Sequence, residues 1–324
     1  MCTCITLNNP DLYFGRNLDL NYLFNETVTI TPRNYLFKLK NGQDYHNKYA
    51  LIGMATVVKE YPLYADAMNE RGLAMAGLNY PHHKMYPGVK EGAYNLSAFE
   101  LIPFVLGQAT TVKEAVKILE NIWLNDLSFA PNVPVSLLHF MISDKDESVV
   151  VEHSDEGLKI YHNPYGVMTN NPSFPYHLEN IKNYMHLSPE NSENRLSKKL
   201  DLEVNCEGMG AIGLPGDFSS PSRFVKAVFL KANSVSKDDE MANVTQFFHI
   251  LDNISMVKGA VITADGSLDI TTYNSCISAK TLTYYYKTYD NYQISAISLL
   301  NEDLDGDLLI KYPLVKEARI NYQN

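Results

Sequence analysis

Apolar and polar residues alternate over many short stretches of this chain. Residues 2–7 (CTCITL) alternate and carry β-branched side chains, which predicts a strand. Residues 11–16 (DLYFGR) and 26–32 (ETVTITP) read the same way. Strands are also predicted over 49–58, 62–68 and 72–79, with Asn69-Glu70-Arg71-Gly72 as the turn between the last two. The period then changes, and residues 97–108 predict a helix. Thr111 and Glu114 have capping-box spacing, and Val112, Ala115, Val116, Leu119 and Ile122 recur behind them at helical intervals. Residues 137–143 and 148–153 predict a hairpin around Asp144-Lys145-Asp146-Glu147, followed by strands at 157–162 and 166–170.

Helices are expected next over 175–187, 221–233 and 239–257. Pro221 suits a first helical turn, and Val244, Phe247, Phe248, Leu251 and Ile254 share one face. Strands return at 269–276, 281–288, 292–299 and 307–312. The alternation predicts antiparallel sheets with one covered face. Two sheets with helices packed outside them satisfy this order. A doubly wound nucleotide-binding fold would need regular strand–helix–strand units and a glycine-rich turn, and neither is found.

Composition narrows the reading. A chain of 324 residues buries roughly three quarters of its unfolded surface and needs no disulfide or metal for stability. No linker or repeat divides it, so residues 1–324 read as a single domain. With 27 basic and 37 acidic residues the net charge is −10, which argues against nucleic acid as a partner. No stretch is apolar enough to span a membrane, and no secretory signal opens the chain. Four scattered cysteines (Cys2, Cys4, Cys206, Cys276) make no disulfide framework, so a cytoplasmic location is expected. Tyr is abundant at 22 residues, which strand packing accounts for.

Candidate chemistry starts at Cys2. If Met1 is removed, the chain begins with a residue holding both a thiol and an α-amine. Such an amine is basic near neutral pH, so nucleophile and base come from one residue. From position alone, a small buried strand residue is the blander reading. Gly15-Arg16-Asn17-Leu18-Asp19 follows in a strand that can pair with the first. A guanidinium at Arg16 would favour a nearby thiolate, and Asp19 could hold the amine. Asn79 and Asn170 end apolar strands, where Asn is unusual; turn formation before proline is the plain alternative. Gly213 to Asp217 then forms a constrained loop before Arg223.

MCTxIT, FGRNLD, AGLNYP, VMTNNP and GLPGDFSSPSRF together resemble the choloylglycine hydrolase family, which contains conjugated bile salt hydrolases and penicillin V acylases. Five separated motifs in order make the resemblance specific, and YALIGMA, VTQFFHIL and YYYKTYDNYQISAISL extend it almost to the C-terminus. It implies an α+β fold, a four-layer αββα sandwich of the N-terminal nucleophile hydrolase type. It implies Cys2 as nucleophile with its own amine as base, Arg16 and Asp19 as residues that position and polarise it, and Asn79 and Asn170 at the oxyanion hole. Arg223 would support the charge network. No cofactor is implied, and the family is typically homotetrameric.

The resemblance points to glycine- or taurine-conjugated bile salts as the substrate, since bile salt hydrolases usually carry Asn at the position of Asn79. Penicillin V acylase and acyl-homoserine-lactone acylase activities stay open. So does a non-catalytic steroid binder, which retention of Met1 would favour. A steroid needs a broad apolar cleft, and Leu18, Leu20, Phe24, Tyr64, Phe129 and Leu138 are candidate lining residues. Cys4 falls on the face of Cys2 by strand period and is expected to be an inert thiol. His82-His83 lacks partners at zinc-ligand spacing. His139, His153, His177 and His249 read as packing residues, and Asn301 to Asp307 as a solvated turn rather than a calcium loop.

Overall fold

The computed structural model describes residues 1–81 and 85–324. Two antiparallel sheets face each other. The first has six strands, in the spatial order Val167–Met168, Cys2–Asn8, Leu12–Leu20, Ile270–Ser278, Thr283–Thr288 and Ser295–Ser298. The second has eight: Gly157–His162, Ser148–Ser154, Leu138–Ser143, Ala74–Asn79, Tyr61–Asn69, Leu51–Val58, Thr27–Thr31 and Ile310–Pro313. The helices Leu101–Leu106 and Val112–Leu119 cover the outer face of the second sheet. The helices Ser220–Asn233 and Glu240–Asp252 cover the outer face of the first. This is the expected four-layer αββα sandwich.

The strand pleat divides side chains between two cores. Ile52, Met54, Met68, Ala76, Met141 and Val150 point between the sheets. Their neighbours Leu51, Ala55, Ala67, Met75, Phe140, Ile142, Val149 and Val151 point to the helices. The alternation therefore does not mark one covered face, as expected from sequence. Both faces of each sheet are buried, which is why Leu51 to Ala55 is apolar almost throughout.

Element ends differ from expectation for local reasons. The helix capped by Thr111 stops at Leu119, and Ile122 opens a short strand, Ile122–Asn125, paired in parallel with Tyr94–Ser97. The helix expected over 97–108 is a 3-10 turn followed by Leu101–Leu106. The segment expected over 175–187 is the helix Phe174–Asn180, then a 3-10 turn to Tyr184. The helix expected to reach 257 ends at Asp252: the amides of Ile254 and Ser255 tighten onto the carbonyls of Leu251 and Asp252, and the Met256 amide donates to Thr271 Oγ1 at 2.8 Å.

Candidate active site

The site is built on the hairpin Cys2–Asn8 with Leu12–Leu20. Cys2 pairs with Leu18, Thr3 with Asn17 and Cys4 with Arg16. Residues opposite each other in an antiparallel pair share a face. Cys2, Cys4, Arg16 and Leu18 therefore face the second sheet, while Thr3, Asn17 and Asp19 face the helices. Side-chain bonds agree: Arg16 Nη1 donates to the carbonyls of Ala65 (3.0 Å) and Gly77 (2.6 Å) in the second sheet. Asn17 Nδ2 donates to the Leu251 carbonyl at 3.0 Å, in the helix layer.

Arg16 is fully buried, and Nη2 has no partner. Burial alone would depress its basicity, but Cys2, Tyr273 and Asp66 nearby raise it further, so the guanidinium is held charged. Asp66 is in turn fixed by the hydroxyls of Tyr273 and Tyr284, each donating at 2.7 Å. Gly15 lets the two neighbouring strands close here, since a Cβ would stand 2.0 Å from the Ser275 carbonyl oxygen.

A second cluster surrounds the nitrogen of Cys2. That N–H donates to Asn170 Oδ1 at 2.8 Å, and Arg223 Nη2 donates to the same oxygen at 2.7 Å. Buried Arg223 also donates to the Cys2 carbonyl, to Thr3 Oγ1 (2.7 Å) and, through Nε, to the Phe218 carbonyl (2.9 Å). Asn170 Nδ2 gives one N–H to the Asn79 carbonyl at 2.5 Å, and the Asn170 amide donates to Ser220 Oγ at 2.8 Å. Asp19 holds Met1 through its backbone: its N–H donates to the Met1 carbonyl (2.9 Å), and its carbonyl accepts from the Met1 ammonium (2.6 Å). Its Oδ1 accepts from Thr271 Oγ1 at 2.6 Å, and its buried Oδ2 has no partner. Burial pushes the Asp19 carboxyl up, against Arg223 and the chain's ammonium. Asp269 completes the cluster, pairing with the Met1 ammonium at 3.2 Å.

Cys2, Arg16, Asp19, Asn170 and Arg223 thus converge, and Asn79 joins them through its carbonyl while the residue itself is exposed. Leu18 and half-exposed Leu20 lie on the strand opposite Cys2, and Leu138 pairs with Asn79. Phe24 is exposed against Tyr22, and Phe129 packs on Tyr61 and Phe99. Tyr64 lies elsewhere, in the core on the helix side of the second sheet. Its hydroxyl bonds Thr31 Oγ1 at 2.8 Å, the position of a packing residue. A cavity of about 750 Å³ lies at the other end of the first strand, around Thr6, Asn9 and Lys231, and is lined by none of these residues. Cys4 is fully buried, and burial pushes its thiol up. His82-His83 lies outside the described residues, among which no group of three or more potential metal ligands occurs. Asp66, Ser220, Asp269 and Thr271 were not anticipated, although Ser220 stands inside GLPGDFSSPSRF and Asp66 inside PLYADAMNE, another segment that resembles the family.

Facing antiparallel sheets between helix layers, with a cysteine and its charge network at the start of an inner strand, define the N-terminal nucleophile hydrolase fold. The chain matches the conjugated bile acid hydrolase of Clostridium perfringens, solved as a C2A mutant, with a TM-score of 0.92 and 36% identity over 100% of both chains. It matches penicillin V acylase of Agrobacterium tumefaciens with a TM-score of 0.78 and 22% identity, over 98% and 92% of the two chains. Residues 2–312 match the model of the linear amide C–N hydrolases, choloylglycine hydrolase family, and the chain belongs to that family. Relatives include a bile salt hydrolase/transferase of Lactiplantibacillus plantarum, 47% identical over 98% of both proteins. The bile salt hydrolase/transferase of C. perfringens is 37% identical over 100% of both. No helix among the described residues is long and apolar enough to cross a membrane.

Proposed function

We propose that this chain hydrolyses the amide bond of glycine- or taurine-conjugated bile salts, with Cys2 as nucleophile after removal of Met1. The observation that carries the reading is the 2.8 Å bond between the Cys2 nitrogen and Asn170 Oδ1, with Arg223 on the same oxygen. Removal of Met1 turns that amide nitrogen into an α-amine at the same place.

The thiolate attacks the substrate carbonyl, and charge develops on its oxygen. Asn170 Nδ2 spends one of its two N–H groups on Asn79, so the second is available to that oxygen, with Asn79 as the other donor. The amine takes the thiol proton and gives it to the leaving nitrogen, releasing glycine or taurine and leaving a thioester. Water, losing a proton to the same amine, cleaves the thioester to the free bile acid and restores the thiol. Arg16 supplies fixed positive charge on the thiol side. Asp19 and Arg223 hold the amine side. Leu18, Leu20, Phe24, Phe129 and Leu138 form the apolar wall for the steroid. The active assembly is a homotetramer, a reading supported by the exposed Met185, Leu196 and Ile212; light scattering checks it.

Amino-acid release from glycocholate, taurocholate and penicillin V, measured side by side under reducing conditions, tests the substrate. Release from either bile salt well above penicillin V is expected; turnover of penicillin V alone would overturn it. Intact-protein mass should show Met1 absent in active material. Cys2→Ala should abolish release while leaving the thermal transition within a few degrees, and residual turnover near wild type would defeat the mechanism.

A further inference from the structure

Behind the two asparagines lies a buried polar group that the mechanism above does not use. Glu152, His139 and His177 are nearly inaccessible. His139 Nε2 meets the Thr169 carbonyl at 2.7 Å, and His139 Nδ1 meets Glu152 Oε1 at 3.3 Å. The same Glu152 oxygen accepts the Phe174 N–H at 2.8 Å, where the helix after the Thr169–Pro172 segment begins. Glu152 also hydrogen-bonds the Tyr80 hydroxyl, and the Tyr80 ring stacks on His139 at 4.4 Å, inclined by 8°. His177 Nε2 meets the Asn170 carbonyl at 3.0 Å. Burial pushes His177 down, toward the neutral ring, and its Nδ1 has no hydrogen-bond partner.

We propose that Glu152 and His139 are positioning residues for hydrolysis, fixing Asn79 and Asn170 relative to each other and to Cys2. The inference rests on the function proposed above. Tyr80 follows Asn79 directly, and Thr169 precedes Asn170, so one carboxylate–imidazole pair grips both asparagine-bearing strand ends. Those ends belong to different sheets, and Asn170 Nδ2 bonds the Asn79 carbonyl between them. Both nitrogens of His139 face acceptors. The pair is satisfied only with a proton held between Nδ1 and Glu152, so neither member is replaceable by an apolar residue of the same shape without freeing a strand end.

The experiment measures kcat and KM for glycocholate in Glu152→Gln and His139→Phe, each in the wild-type and the Asn170→Ala background. Alkylation of Cys2 by iodoacetamide serves as the control for the fold. Expected is a roughly tenfold loss of kcat for Glu152→Gln and a roughly hundredfold loss for His139→Phe, with KM within about threefold and alkylation unchanged. In the Asn170→Ala background either change should cost clearly less than in the wild type, because one of the two asparagines that the pair positions is gone. An unchanged kcat, or the same fold-loss in both backgrounds, would overturn the inference. Loss of the thermal transition in both variants would reduce the pair to core packing and overturn it too. Wild-type protein in the same series separates the two readings. If it releases neither glycine from glycocholate nor taurine from taurocholate, the substrate assignment fails and this inference with it; active wild type beside unaffected variants refutes this inference alone.

Discussion

The side-chain oxygen of Asn170 lies 2.8 Å from the backbone nitrogen of Cys2, a bond spanning 168 residues. It joins the start of the chain to the end of a strand that pairs with only two residues of the first, Cys4 and Ile5. A contact that long in sequence and that dependent on one oxygen makes the site sensitive to whatever orients Asn170.

Arg223 is the main such group. Its guanidinium serves Asn170 Oδ1, Thr3 Oγ1 and the carbonyls of Cys2 and Phe218. Lysine offers a point charge without the planar fork and leaves buried acceptors unmet. Arg223→Lys should lower kcat roughly a hundredfold and cost roughly 1–3 kcal/mol of stability. Steady-state kinetics and urea unfolding check both.

Two of the aromatic residues that the sequence offers for the steroid wall should separate cleanly. Phe24 is exposed beside Tyr22, whereas Tyr64 is bonded inside the helix-side core. Phe24→Ala should raise KM for taurocholate with little loss of stability. Tyr64→Phe should leave KM unchanged and cost about 1 kcal/mol through its lost hydrogen bonds. A raised KM for Tyr64→Phe would return that residue to the wall.

Lys231 gives a pH dependence with a definite sign. Burial pushes its ammonium down from 10.5 to about 8, against a smaller opposing effect of Cys4. Its Nζ donates to Thr6 Oγ1 and the Tyr165 carbonyl, at 2.9 and 2.5 Å. A folded-state value below the unfolded one disfavours the charged form on folding. The contribution to stability is therefore least favourable below about pH 8 and grows as pH rises toward 10.5. Thermal melts of wild type and Lys231→Met at pH 7.5 and 9.5 should show the difference moving in favour of wild type at the higher pH.

Gly15→Ala tests the closeness of the strands under the site. Its Cβ would meet the Ser275 carbonyl oxygen at 2.0 Å and Cys276 Cα at 2.9 Å, all of it backbone that cannot swing aside. Strand separation should cost roughly 1–3 kcal/mol or more, and should lower kcat by displacing Arg16, the next residue. Urea unfolding and kinetics on the one variant check the two together.

The sequence by itself determined the layered fold and the near half of the site. Alternation is local, so strands such as Cys2–Asn8 and Leu12–Leu20 were legible. Once these pair as a hairpin, Cys2, Arg16 and Asp19 must lie close together. The motifs around Asn79, Asn170 and Arg223 were visible through family likeness, although nothing local said they would meet. Tertiary structure alone decided the rest. Whether a strand residue such as Tyr64 faces the other sheet or the helices depends on which layers close over each face, which a single strand's pattern leaves open. The parallel pair Tyr94–Ser97 and Ile122–Asn125 is short and joined across a helical segment. The partners of buried charge (Asp66 beside Arg16, Asp269 at Met1) come from segments distant in the chain. Buried polar groups must find partners wherever the packed layers offer them, and that choice exists only after the sheets have come together.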